Sequence, residues 1–210
     1  MADWIEESCV NFSEGLASGN ATPGGGSTAA LAGALGAALG SMVANLTIGR
    51  KAYAEVENEM VELLKNTENL RLRLLSLVQA DVDAFTMLMS AYSLPKETEE
   101  EKIFRSTVIM EATKGATEAP LKVMETCAEV FPLLKILAEK GNSHAVSDAA
   151  CGAILCRAAV EASIWNVYIN LSAISDSDYV KEKQAYADDI KNTAIRSAEE
   201  IVKFAEKSLH

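Results

Sequence analysis

Apolar residues recur three and four apart along almost the whole chain, and no stretch alternates apolar with polar over a strand's length. Trp4, Ile5, Cys9, Phe12 and Leu16 predict a short amphipathic helix over residues 3–17, ended by Gly19-Asn20. From about Glu55 to Ser93 the stripe Met60, Leu63, Leu64, Leu70, Leu74, Leu77, Val78 and Phe85 runs on without Gly or Pro. So long a helix in so small a chain suits a bundle with a substantial dimer interface. Leu94-Pro95 marks a turn, and the acids after it suit the first turn of a helix over 97–118. Pro120 is read as opening the next helix, to about 139, with Pro132 kinking or dividing it. Lys140-Gly141-Asn142-Ser143 joins a helix stop to a helix start, predicting an Ala-rich helix to about 174. A polar, outermost helix over 177–207 closes the chain. The expected fold is all-α: an up-and-down bundle of long helices forming a single domain over 1–210, paired as a homodimer.

Thr22 to Arg50 stands apart. A proline and three successive glycines precede a helix over 27–48 with two kinds of face. Leu31, Leu35, Leu39, Met42 and Leu46 form a bulky stripe, while Ala29, Gly33, Gly36, Gly40 and Ala44 form a stripe that lets a second helix approach closely. Ser27 to Ile48 lacks charge for long enough to span a bilayer, but its Ala and Gly content gives little drive to insert. The glycines also bring backbone N–H groups to a helix mouth, which favours anions or electron-rich groups.

Charge narrows the partners. With 19 Lys and Arg against 30 Asp and Glu, the net charge of −11 repels nucleic-acid backbones and anionic lipid. Cys9, Cys127, Cys151 and Cys156 form no C-x-x-C pair and are expected to be free thiols, mostly buried, in a reducing cytoplasm. The acidic N-terminus does not resemble a secretory signal.

Familiar catalytic motifs are missing: the sequence holds no G-x-S-x-G, no phosphate-binding loop and no H-E-x-x-H. His144 and His210 are the only histidines, so no metal is expected, and chemistry falls to carboxylates, amides, Lys and backbone. Asp148, Asn166 and Asn170 share a face of one helix, where they satisfy interhelical hydrogen bonds or line a site. Asp148 and Asn166, eighteen residues apart, are separated by roughly 27 Å of helical rise. They cannot meet one reacting atom unless a partner subunit completes the site. Asp81 is either a solvated charge or a site acid, and Arg50-Lys51 either a helix-end cluster or a grip on a ligand carboxylate.

TPGGGSTAALAGALGAALGSMVANLT followed by GRKAY, then DVDAF, LPKETEEEKIFR and GNSHAVSDAACGAILCRAAVEASIWNVYINL, covers almost the whole chain in order. Together these stretches resemble the formimidoyltetrahydrofolate cyclodeaminase and methenyltetrahydrofolate cyclohydrolase family. The resemblance implies a helical, homodimeric folate enzyme without metal or separate cofactor, the tetrahydrofolate derivative being the substrate. It implies catalytic roles for Asp148, Asp81 and Lys51. It implies substrate contacts for Pro23, Gly24, Gly25, Gly26, Ser27, Asn45, Asn142, Ser147, Asn166 and Asn170. Arg50 stands where the family is associated with Lys, and His144 where the family varies. The resemblance covers two reactions: hydrolysis of the methenyl bridge to 10-formyltetrahydrofolate, and ring closure of a formimino group with loss of ammonia. A chain of 210 residues leaves no room for a formiminotransferase domain, which favours the cyclohydrolase. A non-catalytic helical module that binds folate or dimerises is the reading from another class.

Overall fold

The computed structural model describes residues 4–209; residue 3 of the first predicted helix and His210 lie outside them. The described residues form six α-helices and no strand: α1 (Cys9–Ala17), α2 (Gly25–Thr47), α3 (Glu57–Tyr92), α4 (Glu99–Lys140), α5 (Val146–Leu171) and α6 (Ser177–Leu209). Short 3₁₀ turns at Lys51–Val56 and Ser143–Ala145 lead into α3 and α5.

The small-residue stripe of α2 sets the packing. A Cβ on Gly33 would lie 2.6 Å from the Cys127 sulfur of α4, and one on Gly36 the same distance from the Cys156 sulfur of α5. On the side facing α3, Gly40 approaches Thr67, and Ser41 Oγ donates to Thr67 Oγ1 at 2.9 Å. α2 thus runs antiparallel to both α3 and α5, with α4 behind them and α6 along α4 and α5. By length and composition α2 and the stretch Lys51–Tyr92 are long and apolar enough to cross a bilayer, yet most small residues of α2 are buried against other helices.

Two expectations change. The first helix begins only at Cys9, capped by Ser8. The predicted break at Pro120 is absent: α4 is one helix of 42 residues with Pro120 and Pro132 inside it. Each proline removes a backbone donor, but α4 is wedged against α3, α5 and α6, and that packing keeps it continuous. At its start Thr98 and Glu101 form a capping box, as the acidic run suggested. Of the four free thiols, Cys127 and Cys156 are buried, whereas Cys9 and Cys151 are exposed.

Candidate active site

At the start of α2 the helix end has no cap of its own: Gly24, the residue before it, offers no side chain. The missing acceptor arrives from another helix. Asp81, on α3, takes a hydrogen bond from Ser27 Oγ at 2.8 Å and one from the Ser27 backbone N–H. Its carboxylate therefore closes the positive end of α2. This explains the glycine at 26, where any Cβ would collide with the Asp81 carboxyl. An internal anion, the Asp81 carboxylate, thus occupies part of the helix mouth that the glycines open to anions or electron-rich groups.

Asp81 is half-buried, and burial raises its pKa above 3.8 against the opposing pull of the two Ser27 hydrogen bonds. Removing the hydroxyl donor leaves desolvation less opposed. Ser27→Ala is therefore expected to move the acidic limb of the kcat/KM profile to higher pH, a shift read from rates across pH 4–8 (roughly the span of carboxylate and imidazole titration).

Asn166 of α5 faces the same loop, its amide 3.4 Å from the Cβ position of Gly25, while its Nδ2 donates to the Ala162 carbonyl at 3.2 Å. Together with Thr22, Gly24, Phe85, Leu88, Ala116 and Asn170 these groups line a cavity of about 280 Å³. Pro23 is buried beneath the loop, joined to Thr22 by a cis peptide bond. Phe85, read from the sequence only as part of an apolar stripe, follows Asp81 by one helical turn and so shares its face.

Asn170 has a structural task as well. Pro120 has no N–H for the carbonyl of Ala116, four residues earlier, and Asn170 Nδ2 donates to that carbonyl at 2.8 Å. Asn170→Ala is expected to cost about 1–3 kcal/mol by orphaning a buried acceptor. In a Pro120→Ala background, where a backbone N–H can return, the same change should cost less; thermal unfolding of the four proteins measures the difference.

The remaining predicted residues gather at the other end of α2. Asn45, Lys51 and Ser147 are exposed and Asp148 is half-buried in the first turn of α5. Asn142 is buried and fully engaged: its N–H donates to Thr47 Oγ1, its Nδ2 to the Leu46 carbonyl, and its Oδ1 accepts from the His144 N–H. That side chain locks the α4–α5 turn onto the end of α2. Tyr53, missed by the sequence reading, accepts from the Ser143 N–H at 3.0 Å, and its bonds with Ser143 hold its pKa below 10. Within one chain, α2 sets Lys51 and Asp148 about 30 Å from Asp81 and Asn166 (1.5 Å per residue over its length). Among the described residues no three His, Cys, Asp or Glu side chains gather in a metal-binding group.

Comparison with known proteins adds the chemistry. The pattern of the formiminotransferase-cyclodeaminase family matches residues 8–189. The chain is 45% identical over 177 residues to a methenyltetrahydrofolate cyclohydrolase of Methylorubrum extorquens, covering 84% of this chain and 85% of that one. It is 37% identical over 179 residues to the formimidoyltransferase-cyclodeaminase of Rattus norvegicus, of whose length the match spans only 33%. The crystal structure of a formiminotetrahydrofolate cyclodeaminase from Thermotoga maritima superimposes with a TM-score of 0.86 at 32% identity, covering 98% of both chains.

Proposed function

The chain belongs to the formiminotransferase-cyclodeaminase family, and on that premise we propose that it is a methenyltetrahydrofolate cyclohydrolase, adding water to 5,10-methenyltetrahydrofolate to give 10-formyltetrahydrofolate. The observation that carries this reading is the 45% identity to a cyclohydrolase over nearly the full length of both chains. The cavity at the start of α2 supplies a fitting acid. The substrate's bridging carbon sits in a cationic N–C–N unit, which the Asp81 carboxylate stabilises across a short gap. As water bonds to that carbon, Asp81 takes a proton from it. When the carbon–N5 bond breaks, the proton held by Asp81 passes to N5, the remaining hydroxyl proton is released to solvent, and the formyl group stays on N10. A carboxyl whose pKa burial has raised is a stronger base for the first step than a solvated aspartate. Tetrahydrofolate carries the one-carbon unit as substrate, and no metal or separate cofactor enters these steps.

The second reading, the cyclodeaminase, is favoured by the Thermotoga maritima likeness. There N10 attacks the formimino carbon, its proton passes to the imino nitrogen, and the same acid delivers a second proton as the bond from carbon to that nitrogen breaks and ammonia leaves. One assay separates them: loss of methenyl absorbance with the methenyl substrate against ammonia release with the formimino substrate. Ammonia release without methenyl hydrolysis would overturn the first reading.

The active unit is proposed to be a cytoplasmic homodimer. α2 carries exposed Leu35 and Met42, and α5, packed beside it, carries exposed Ile154, Trp165 and Ile169, the last two 70% and 68% exposed. Such a surface is too apolar to stay in water. Pairing two copies antiparallel through it brings the Lys51–Asp148 end of one chain beside the Asp81–Asn166 cavity of the other. Trp165→Asp is expected to yield a monomer by light scattering, with activity reduced in parallel; a dimer of full activity would overturn this arrangement.

A further inference from the structure

The face of α3 that holds Asp81 continues past the cavity. Phe85, Met89 and Tyr92 follow Asp81 at intervals of four, four and three residues, which keeps all of them on one side of the helix. Phe85 lines the cavity, whereas Met89 and Tyr92 stand 47% and 44% exposed beyond it. At the far end of this stripe lies Arg105 of α4. Its Nη2 donates to the Tyr92 carbonyl at 3.0 Å, and its guanidinium carbon lies 5.9 Å from the centre of the Tyr92 ring. Among the described residues its buried Nε has no hydrogen-bond partner and no carboxylate forms an ion pair with it. Nearby Glu101 is engaged instead with the N–H groups of Glu97 and Thr98.

Capping the end of α3 accounts for Nη2 but not for Nε. A buried charged donor without an acceptor is costly, and in a chain of net charge −11 an unpaired arginine beside open apolar surface is conspicuous. We propose that Arg105 is the carboxylate-binding residue of a substrate subsite running from Asp81 along Phe85 and Met89 to Tyr92, which holds the benzoyl ring on its apolar stretch and the glutamate carboxylate at its end. This assignment rests on the folate reaction proposed above and adds the recognition of the part of the substrate remote from the reacting carbon. Eleven residues of helix separate Asp81 from Tyr92, a rise of about 16 Å, so a ligand with its one-carbon unit at Asp81 must be elongated and anionic at its tail. The Arg fork suits that group, since planar guanidinium and carboxylate share hydrogen bonds readily.

The test compares two substrates on wild type, Arg105→Ala and Arg105→Lys: 5,10-methenyltetrahydrofolate and 5,10-methenyltetrahydropteroate, which lacks the glutamate. Arg105→Ala is expected to raise KM for the glutamylated substrate about tenfold to a hundredfold, the worth of one charge-assisted bond. Its kcat should change little, and its KM for the pteroate should match that of wild type. Arg105→Lys should recover part of the loss, and it also decides the matter should Arg105→Ala fail to fold. A variant that weakens both substrates equally, or lowers kcat for both, marks a purely structural cap and overturns the subsite. Wild type with equal KM for the two substrates also overturns it, while leaving the proposed hydrolysis intact. Wild type inert towards both overturns the hydrolysis and the subsite with it.

Discussion

Asp81→Asn is expected to lose at least about a hundredfold in kcat for the methenyl substrate, the usual contribution of a positioned acid or base, while unfolding at the same or a slightly higher temperature. The amide keeps the shape of the carboxyl and can still accept from Ser27 Oγ, so the mouth of α2 remains capped. It cannot carry the negative charge that faces the cationic carbon, nor take a proton from water. Stability moves the other way. Burial raises the Asp81 pKa in the folded chain, so above the ordinary value the folded state binds more protons than the unfolded one. The stabilising share of the protonated carboxyl is then lost as pH rises through the folded pKa. Relative to Asp81→Asn, wild type should lose thermal midpoint as pH climbs from about 4 towards neutrality. Paired kinetic and melting curves over that range check both halves. Full turnover by the variant would remove Asp81 from the mechanism.

Gly36→Ala should be among the most damaging small substitutions in the bundle. The new methyl would lie 2.6 Å from the Cys156 sulfur and 2.8 Å from the Gly152 carbonyl oxygen, and the latter belongs to backbone that cannot rotate away. α2 and α5 would have to separate along their whole contact. Overpacking of this kind costs about 3 kcal/mol, or a fall in midpoint of roughly 6–12 °C for a chain of this size. Gly152→Ala meets the Gly36 carbonyl at 2.9 Å from the opposite side and should behave alike. The double variant should lose less than the sum, because helices already pushed apart have room for the second methyl. Unchanged melting in either single variant would show that the seam yields more easily than its geometry implies.

Much of this was legible in the chain. Helical periodicity, the glycine seam of α2 and the order of the family stretches are local or sequential features, so they could be read without knowing which helix meets which. Boundaries failed where packing outweighed a local signal. Pro120 reads as a helix start because its ring excludes a donor, yet α4 passes through it, held by its neighbours, and Asn170 answers the orphaned Ala116 carbonyl from fifty-four residues away.

The candidate site divides along the same line. By itself the sequence determined the residue types available for chemistry: two carboxylates of interest, a lysine, a glycine loop and two asparagines on one helix face. Only the tertiary structure decided which of them meet. It set Asp81 against Ser27 and Gly26, tied Asn142 into the α4–α5 turn, and held Lys51 and Asp148 at the far end of α2. The physical reason is that a helix specifies the spacing of its own side chains, whereas contact between helices depends on how their ridges and grooves settle together. That settling is a property of the whole bundle.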